Sequence, residues 1–317
     1  TYYNQGSLNN KGVEFSLNAQ IIDSSSWKWS VSGNIGVNRN EISDLGLLPA
    51  DFGCLGERVG YYGNSLGDHF GVGHIFLAGE APGLFYGYVT QGIVQKEDIT
   101  ENGIKYIKQD GSVGYYQTVN KTTPVAGDVK YVDRNGDGVV DDNDRDIIGN
   151  PNPDFTYGFQ TKVSWKSLSL SASFNGVQGR DILNVGNRYN NTPGTKSNNV
   201  TRKAFQNMWT DENPSNLYPK STFVVQNMVM DRYVEDGSYL RCSDITLSYV
   251  LPAKWTNKIG IKNTSVYASV KNAFVITDYS GYDPEVNSFA FDGLRPGVDM
   301  NSYPTPRSFV FGLNLTF

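Results

Sequence analysis

Stretches in which apolar and polar residues alternate are the feature that most limits how this chain can fold. Between positions 13 and 21 the odd positions are apolar, and the even positions are polar, being Glu14, Ser16, Asn18 and Gln20. Successive side chains of a strand point to opposite faces, so the pattern predicts a strand with one apolar and one polar face. The segment 27–38 repeats the alternation after a polar turn at 23–26, which predicts a β-hairpin.

Five further segments alternate in the same way and raise the predicted number of strands to about seven. A second hairpin is predicted at 157–165 and 168–174, with a tight turn at Lys166-Ser167. The remaining strands are predicted at 245–249, 266–270 and 309–317. The sequence therefore predicts an all-β protein.

The alternation alone is compatible with two architectures, a soluble β-sandwich and a transmembrane β-barrel. Three features favour the barrel. The strands are roughly 10 residues or longer, as a tilted membrane span requires. Trp27, Trp29 and Trp165 lie beside short turns, where an aromatic girdle is expected. Short turns follow the first, third and fifth strands and long connections follow the others, so we expect an antiparallel barrel wall with its carboxyl end in the periplasm.

Composition and motifs exclude other classes of protein. The chain has 27 lysine and arginine residues against 32 aspartate and glutamate residues, a net charge of −5, which argues against a nucleic-acid partner. The sequence contains no run of 18 or more apolar residues, so no transmembrane helix is predicted. Nucleophile-elbow, zinc-protease and phosphate-loop motifs are missing from the sequence, so we expect no enzymatic activity.

The longest connection runs from about 39 to 154 and contains a motif similar to a calcium-binding loop at 133–144. Gly138 falls at the sharp turn, and the last ligand position holds aspartate where a bidentate glutamate is usual. No amphipathic helix brackets the motif, so an EF-hand sensor is not predicted. A structural Ca²⁺ or similar hard cation is one interpretation, and an acidic solvent turn without metal is the other. The predicted ligands are Asp133, Asn135, Asp137, the Val139 carbonyl, Asp141 and Asp144.

Aromatic residues are frequent in the predicted loops. Loop aromatics often contact ligands, and Tyr86, Tyr88 and Trp209 are the substrate-contact candidates. The alternative is that the loop aromatics pack the long loop upon itself.

A series of motifs, taken in order, resembles the carboxyl-terminal part of the β-barrel of SusC-like (SusC/RagA-type) TonB-dependent outer-membrane transporters. The last strand, 309–317, is similar to the aromatic-terminated final strand of such barrels. The other matching segments are 10–15, 85–88 with 92–93, 127–131, 144–145 with 148–149, 153–159, 236–241, 281–286 and 303–307.

The resemblance implies that residues 1–317 form about a third of a barrel of about 22 strands with a plugged lumen. It implies import of oligosaccharides or peptides across the outer membrane of a Gram-negative, Bacteroidota-type cell. The implied partners are a SusD-like surface lipoprotein, lipid, the remainder of the transporter, and TonB-ExbB-ExbD acting through a plug region that this sequence lacks. A secreted, soluble all-β carbohydrate-binding module with a calcium loop is the alternative function.

Overall fold

Seven long strands form one sheet, which we call the wall sheet. The computed structural model describes residues 6–63, 65–66, 71–192, 199–221, 228–256, 261 and 263–316. The strands of the wall sheet are β1 (Ser7–Asp23), β2 (Trp27–Asp44), β3 (Phe155–Trp165), β4 (Leu168–Gln178), β5 (Tyr239–Val250), β6 (Asn263–Thr277) and β7 (Ser308–Thr316).

Every strand of the wall sheet pairs antiparallel with its neighbour in chain order, from β1 to β7. The short connections, 24–26, 166–167 and 251–262, follow β1, β3 and β5, and the last contains helix α3 (Ala253–Thr256) in its described part. The predicted antiparallel wall and its alternation of short and long connections are confirmed. Strands β1 and β2 are longer than predicted, with 17 and 18 residues.

The strand register places apolar residues opposite apolar residues and polar residues opposite polar residues in the wall sheet. Directly opposed residues of an antiparallel pair share a face. One row of opposed residues is apolar and runs from β3 to β7 through Val163, Leu170, Leu247, Ala268 and Phe311. A row on the other face is polar and runs from β2 to β6 through Ser32, Gln160, Ser173, Asp244 and Lys271. The wall sheet therefore has one apolar and one polar face.

Two bulges lie beside an ion pair between Asp244 and Lys271 on the polar face. The pairing register shifts next to Ser243 in β5 and next to Asn272 in β6, where Asn272 has a φ of 50°. The Lys271 ammonium lies 2.6 Å from an Asp244 carboxylate oxygen. Bulges redirect neighbouring side chains, and here they leave both charged groups on the polar face.

The long connections form a second layer at one end of the wall sheet, which we call the loop layer. It comprises residues 45–154, 179–238 and 278–307 as far as they are described, with helices α1 (Val185–Asn191) and α2 (Arg202–Asn207). In the described part of the chain, no helix is long and apolar enough to cross a membrane. The 3₁₀ helices are Gly53–Leu55, Lys96–Asp98, Asp142–Asp144 and Asp231–Tyr233.

Short strands organise the loop layer into small sheets, of which the largest has four strands, Gly60–Gly63, His74–Leu77, Leu84–Tyr88 and Arg145–Gly149. Asp181–Asn184 pairs with both Val234–Asp236 and Val298–Asp299, so the second and third loops share a sheet. The other short strands are Ala50–Asp51, Glu57–Arg58, Thr90–Ile93, Ile99–Thr100, Gly103–Ile107, Val113–Tyr116, Thr118–Val119, Val129–Tyr131 and Val139–Val140.

One hydrophobic core holds the three loops together. Tyr88 and Tyr131 come from the first loop, Leu183 and Val229 from the second, and Val298 from the third, and all are buried in the same cluster. The backbone amide of Tyr88 also donates to the carbonyl of Val229 at 2.9 Å. The loop layer is therefore a folded unit with its own core.

We predict that charge is tolerated on only one face of the wall sheet. Phe159→Arg should lower the free energy of unfolding by about 2–4 kcal/mol, because Phe159 lies near the middle of β3 on the apolar face, which is expected to meet lipid. Gln160→Arg, at the next residue and on the polar face, is the control and should change it by less than about 1 kcal/mol. The measurement is urea unfolding of the protein in lipid vesicles, and equal losses for the two variants would contradict the assignment of faces.

Candidate functional site

The polar face of the wall sheet carries a groove whose polar lining consists mostly of hydroxyl and amide side chains. One section has a volume of about 410 Å³. A second section of about 380 Å³ shares Asn18, Ser32 and Gln160 with the first. Lys162 lines the first section and is the only charged residue among the described lining of the two sections. These groups donate and accept hydrogen bonds, so the groove can hold a polar ligand without covalent chemistry.

Tyr86 and Tyr88, two of the predicted substrate-contact residues, lie in the cores of the loop layer. Their exposed fractions are 1% and 2%. The Tyr88 hydroxyl donates to an Asp142 carboxylate oxygen at 2.9 Å, and the guanidinium of Arg145 lies 5.3 Å from the centre of the Tyr88 ring. Burial raises the pKa of Tyr88 to about 12. Both rings therefore stabilise the loop layer, which favours the packing alternative.

Trp209, the third predicted substrate-contact residue, is also largely buried, with an exposed fraction of 9%. Its indole N–H donates to the Gln95 side-chain oxygen at 3.1 Å. The ring covers Gly127, where an added Cβ would lie 2.7 Å from a ring carbon. Trp209 thus joins the second loop to the first, and its contact with substrate stays a prediction.

The Asp-rich loop, residues 133–144, is held closed by carboxylates that accept hydrogen bonds from backbone amides. Asp133 accepts from Gly136 at 2.6 Å and from Gly138 at 2.8 Å. Asp144 accepts from Arg134 at 2.7 Å and from Asp141 at 2.8 Å. Three further side chains of the predicted ligand set accept from amides inside the loop in the same way, Asn135, Asp137 and Asp141.

The donor types of the Asp-rich loop fit a hard cation, because carboxylate, amide and carbonyl oxygens are the ligands that Ca²⁺ prefers. The arrangement of these donors is less favourable for binding a metal. Among the described residues, no three histidine, cysteine or acidic side chains are gathered in a way that could hold a metal. Burial raises the pKa of Asp144, which favours its neutral form over the charged form that binds a cation. Calcium binding by the Asp-rich loop stays a prediction.

Two of the sequence motifs meet at a buried ion pair where β5 enters the loop layer. Arg241 pairs with Asp283, and both side chains are about 6% exposed. The Arg241 Nε atom also lies 2.9 Å from a Glu285 carboxylate oxygen. Asp283 accepts hydrogen bonds from the amides of Glu285 and Thr305, at 3.0 and 3.1 Å. The third loop is thereby fixed to the wall sheet.

Sequence reasoning identified both motifs but gave no role to Arg241. The only available signal was the opposite charge of Arg241 and Asp283, which are 42 positions apart. A pair so distant in sequence leaves no periodic pattern from which its contact could be predicted. The pKa of Asp283 reflects opposing causes. Burial raises it, but the amides of Glu285 and Thr305 and the Arg241 guanidinium outweigh burial, so the pKa lies below its ordinary value.

An antiparallel sheet with one apolar and one polar face, and with its long loops at one end, defines a wall segment of an outer-membrane β-barrel. Comparison with known proteins agrees. No protein-family model matches the chain. TonB-dependent receptor P26 of Formosa agariphila is 31% identical over 323 aligned positions, which cover 99% of this chain. TonB-dependent receptor SusC of Bacteroides thetaiotaomicron is 32% identical over 323 positions and the same share of the chain.

Solved structures give the same result. The RagAB peptide transporter aligns with a TM-score of 0.68 and 25% identity over 98% of this chain. The RagAB peptide importer in its "open-open" state aligns with a TM-score of 0.67 and 26% identity over the same share. The chain belongs to the SusC-like TonB-dependent receptors. It spans 30% of the length of the P26 receptor and 27% of that of SusC.

We predict that Arg241→Gln loosens the attachment of the third loop, because it leaves the Asp283 carboxylate buried without its cation. Removing one partner of a buried pair costs about 3–5 kcal/mol. Hydrogen exchange of the amides of Glu285, Val286 and Thr305, which all donate to Asp283, measures the change in opening free energy in the receptor. Arg39→Gln is the matched control, because the Arg39–Asp154 pair is exposed and its loss should cost less than about 1 kcal/mol.

The pH dependence of the same attachment follows from Asp283. Because its pKa is lowered in the folded state, its contribution to stability is fully present above about pH 5 and declines as the pH falls through the lowered pKa. Wild type and Asp283→Asn, which removes the titrating carboxyl, should therefore differ equally at pH 5 and pH 7 and converge in stronger acid. Convergence already between pH 7 and pH 5 would contradict this role.

Proposed function

We propose that this chain supplies part of the barrel wall and outer loop layer of a receptor that imports nutrient molecules across the outer membrane with energy from TonB. The two-faced wall sheet carries the proposal, together with the similarity to TonB-dependent receptors over 99% of the chain. The apolar face contacts lipid, and the polar face contacts the lumen.

Within this function the polar groove interacts with passing molecules through many weak hydrogen bonds. Passage requires binding that is favourable enough for a molecule to enter and weak enough for it to leave. The serine, asparagine and glutamine side chains of the groove meet this requirement, because none of them binds strongly alone. The molecules carried are oligosaccharides or peptides, and no bond is made or broken.

The partner of the loop layer in this proposal is a SusD-like lipoprotein on the cell surface. The three long loops lie at one end of the wall sheet and share a core, so they present one continuous folded surface to such a partner. Similarity to the RagAB transporter supports a two-component assembly. TonB-ExbB-ExbD would act through a plug region outside these 317 residues.

The alternative, a secreted soluble carbohydrate-binding module, is disfavoured by the apolar face of the wall sheet. Val13, Leu170 and Phe311 are 73%, 48% and 80% exposed, and they belong to a face that is apolar across seven strands. Soluble proteins rarely expose contiguous apolar surface of this extent.

Uptake by living cells tests the proposed function. Cells lacking the receptor should lose uptake of its nutrient, and the gene should restore uptake only when TonB is present. The purified receptor should require detergent to remain dispersed. Undiminished uptake without TonB, or a receptor that stays dispersed without detergent, would overturn the proposal.

We further propose that the Asp-rich loop binds Ca²⁺, in agreement with the oxygen donors at the six ligand positions. Equilibrium dialysis of the receptor should find bound calcium at millimolar concentration, and Asp133→Asn should weaken binding about tenfold or more. Glu101→Gln, an exposed acidic residue elsewhere in the first loop, is the control. Absence of bound calcium in the wild type would leave the solvent-turn interpretation.

A further inference from the structure

Two adjacent cavities lie where the wall sheet meets the loop layer. The first, which we call the apolar cavity, has a volume of about 440 Å³ and is lined by Leu8, Ile42, Leu45, Phe76, Pro82 and Leu294 among others. The second, which we call the amide cavity, has a volume of about 460 Å³, and its polar lining includes Asn10, Glu14, Asn38, Asn40, Asn152 and Thr156. Neither belongs to the groove described above.

The two cavities are neighbours on the polar face. Leu8 opposes Ile42, and two residues further along β1 Asn10 opposes Asn40, so the four side chains share a face and lie about 7 Å apart along the strands. The Asn152 amide of the amide cavity donates to the carbonyl of Pro82 in the apolar cavity at 2.9 Å. A single ligand can therefore occupy both.

The lining of the apolar cavity is mostly aliphatic. Its aromatic member, Phe76, is stacked on Tyr61 with parallel rings and a centroid distance of 5.0 Å, so one face of its ring is already covered. Leu8 and Leu294 are 55% and 53% exposed and accessible to a ligand. An aliphatic side chain fits such a cavity, whereas sugar hydroxyls would lose their hydrogen bonds there.

The charged residues that line the two cavities also limit which ligands can bind. Glu14 lines the amide cavity and Asp44 lines the apolar cavity, while no lysine or arginine is found among the described lining residues of either. The asparagine amides between them can both donate to and accept from peptide groups. The cavities are therefore complementary to a ligand that is neutral or positively charged.

We propose that the two cavities together bind an extended peptide, with an aliphatic side chain in the apolar cavity and a positively charged amino group near Glu14. This inference rests on the proposed import function and names the class of molecule that this part of the wall recognises. Glu14 and Leu8 are six residues apart on β1, about 20 Å. An extended peptide covers that distance in about six residues, so the amino group and the aliphatic side chain should be that far apart.

Synthetic octapeptides test the proposal on the intact receptor in detergent. The reference probe is Gly-Ser-Gly-Ser-Gly-Ser-Leu-Gly amide, with a free amino terminus and leucine at the seventh position. Replacing that leucine by serine should weaken binding about tenfold. Moving it to the third position should have a similar effect, because it then cannot reach the apolar cavity. Acetylating the amino terminus should weaken binding about threefold. Titration calorimetry measures each dissociation constant.

Two variants connect these effects to the cavities. Leu294→Asn should weaken the leucine peptide about tenfold and leave the serine peptide unchanged, and Leu217→Asn, an exposed leucine in another loop, is its control. Glu14→Gln should weaken the free-amine peptide about threefold and leave the acetylated peptide unchanged, with Glu101→Gln as its control.

Four outcomes would overturn this inference. The leucine and serine peptides could bind equally. Maltoheptaose could bind with an affinity that Leu294→Asn reduces, which would indicate a sugar ligand. Leu294→Asn could instead lower only the melting temperature of the receptor, which would mean that its own chain fills the apolar cavity. TonB-dependent uptake of maltoheptaose without peptide binding would overturn this inference alone. Absence of TonB-dependent uptake of any nutrient would overturn the import function.

Discussion

The continuous hydrogen-bond ladder of seven antiparallel strands is the constraint on which the rest of the structure depends. A lipid environment offers no partner to an unpaired backbone amide or carbonyl, so strands that cross it must pair with one another along their length. Pairing also fixes the register, and a shift of one residue would exchange the two faces. The apolar row through Leu170 and the polar row through Gln160 exist only in this register.

The wall sheet and the loop layer are stabilised in different ways. The wall sheet has no apolar core of its own among the described residues, and its large apolar side chains point outward. The loop layer is a water-facing unit with an ordinary buried core, rich in tyrosine. The Arg241–Asp283 pair lies at the junction and fastens one layer to the other. In the import function that we propose, substrate would meet the loop layer first and the polar face afterwards.

The wall could be predicted from sequence because its strands obey a period of two, which follows from the alternation of side chains between the two faces of a strand. The loop layer could not. Tyr86, Tyr88 and Trp209 have the composition of a binding surface, yet their burial depends on contacts between loops far apart in sequence. The Asp-rich loop differs from these residues, because its internal hydrogen bonds join residues that are close in sequence.

The shared core of the loop layer has a consequence for how such receptors diversify. Tyr88, Leu183 and Val298 belong to different loops but to one packed cluster, so no loop folds independently of the other two. Exchanging a single loop between relatives would leave the other two packed against foreign side chains. New specificities should therefore arise by replacement of all three loops together, or by substitutions at exposed positions that leave the cluster intact.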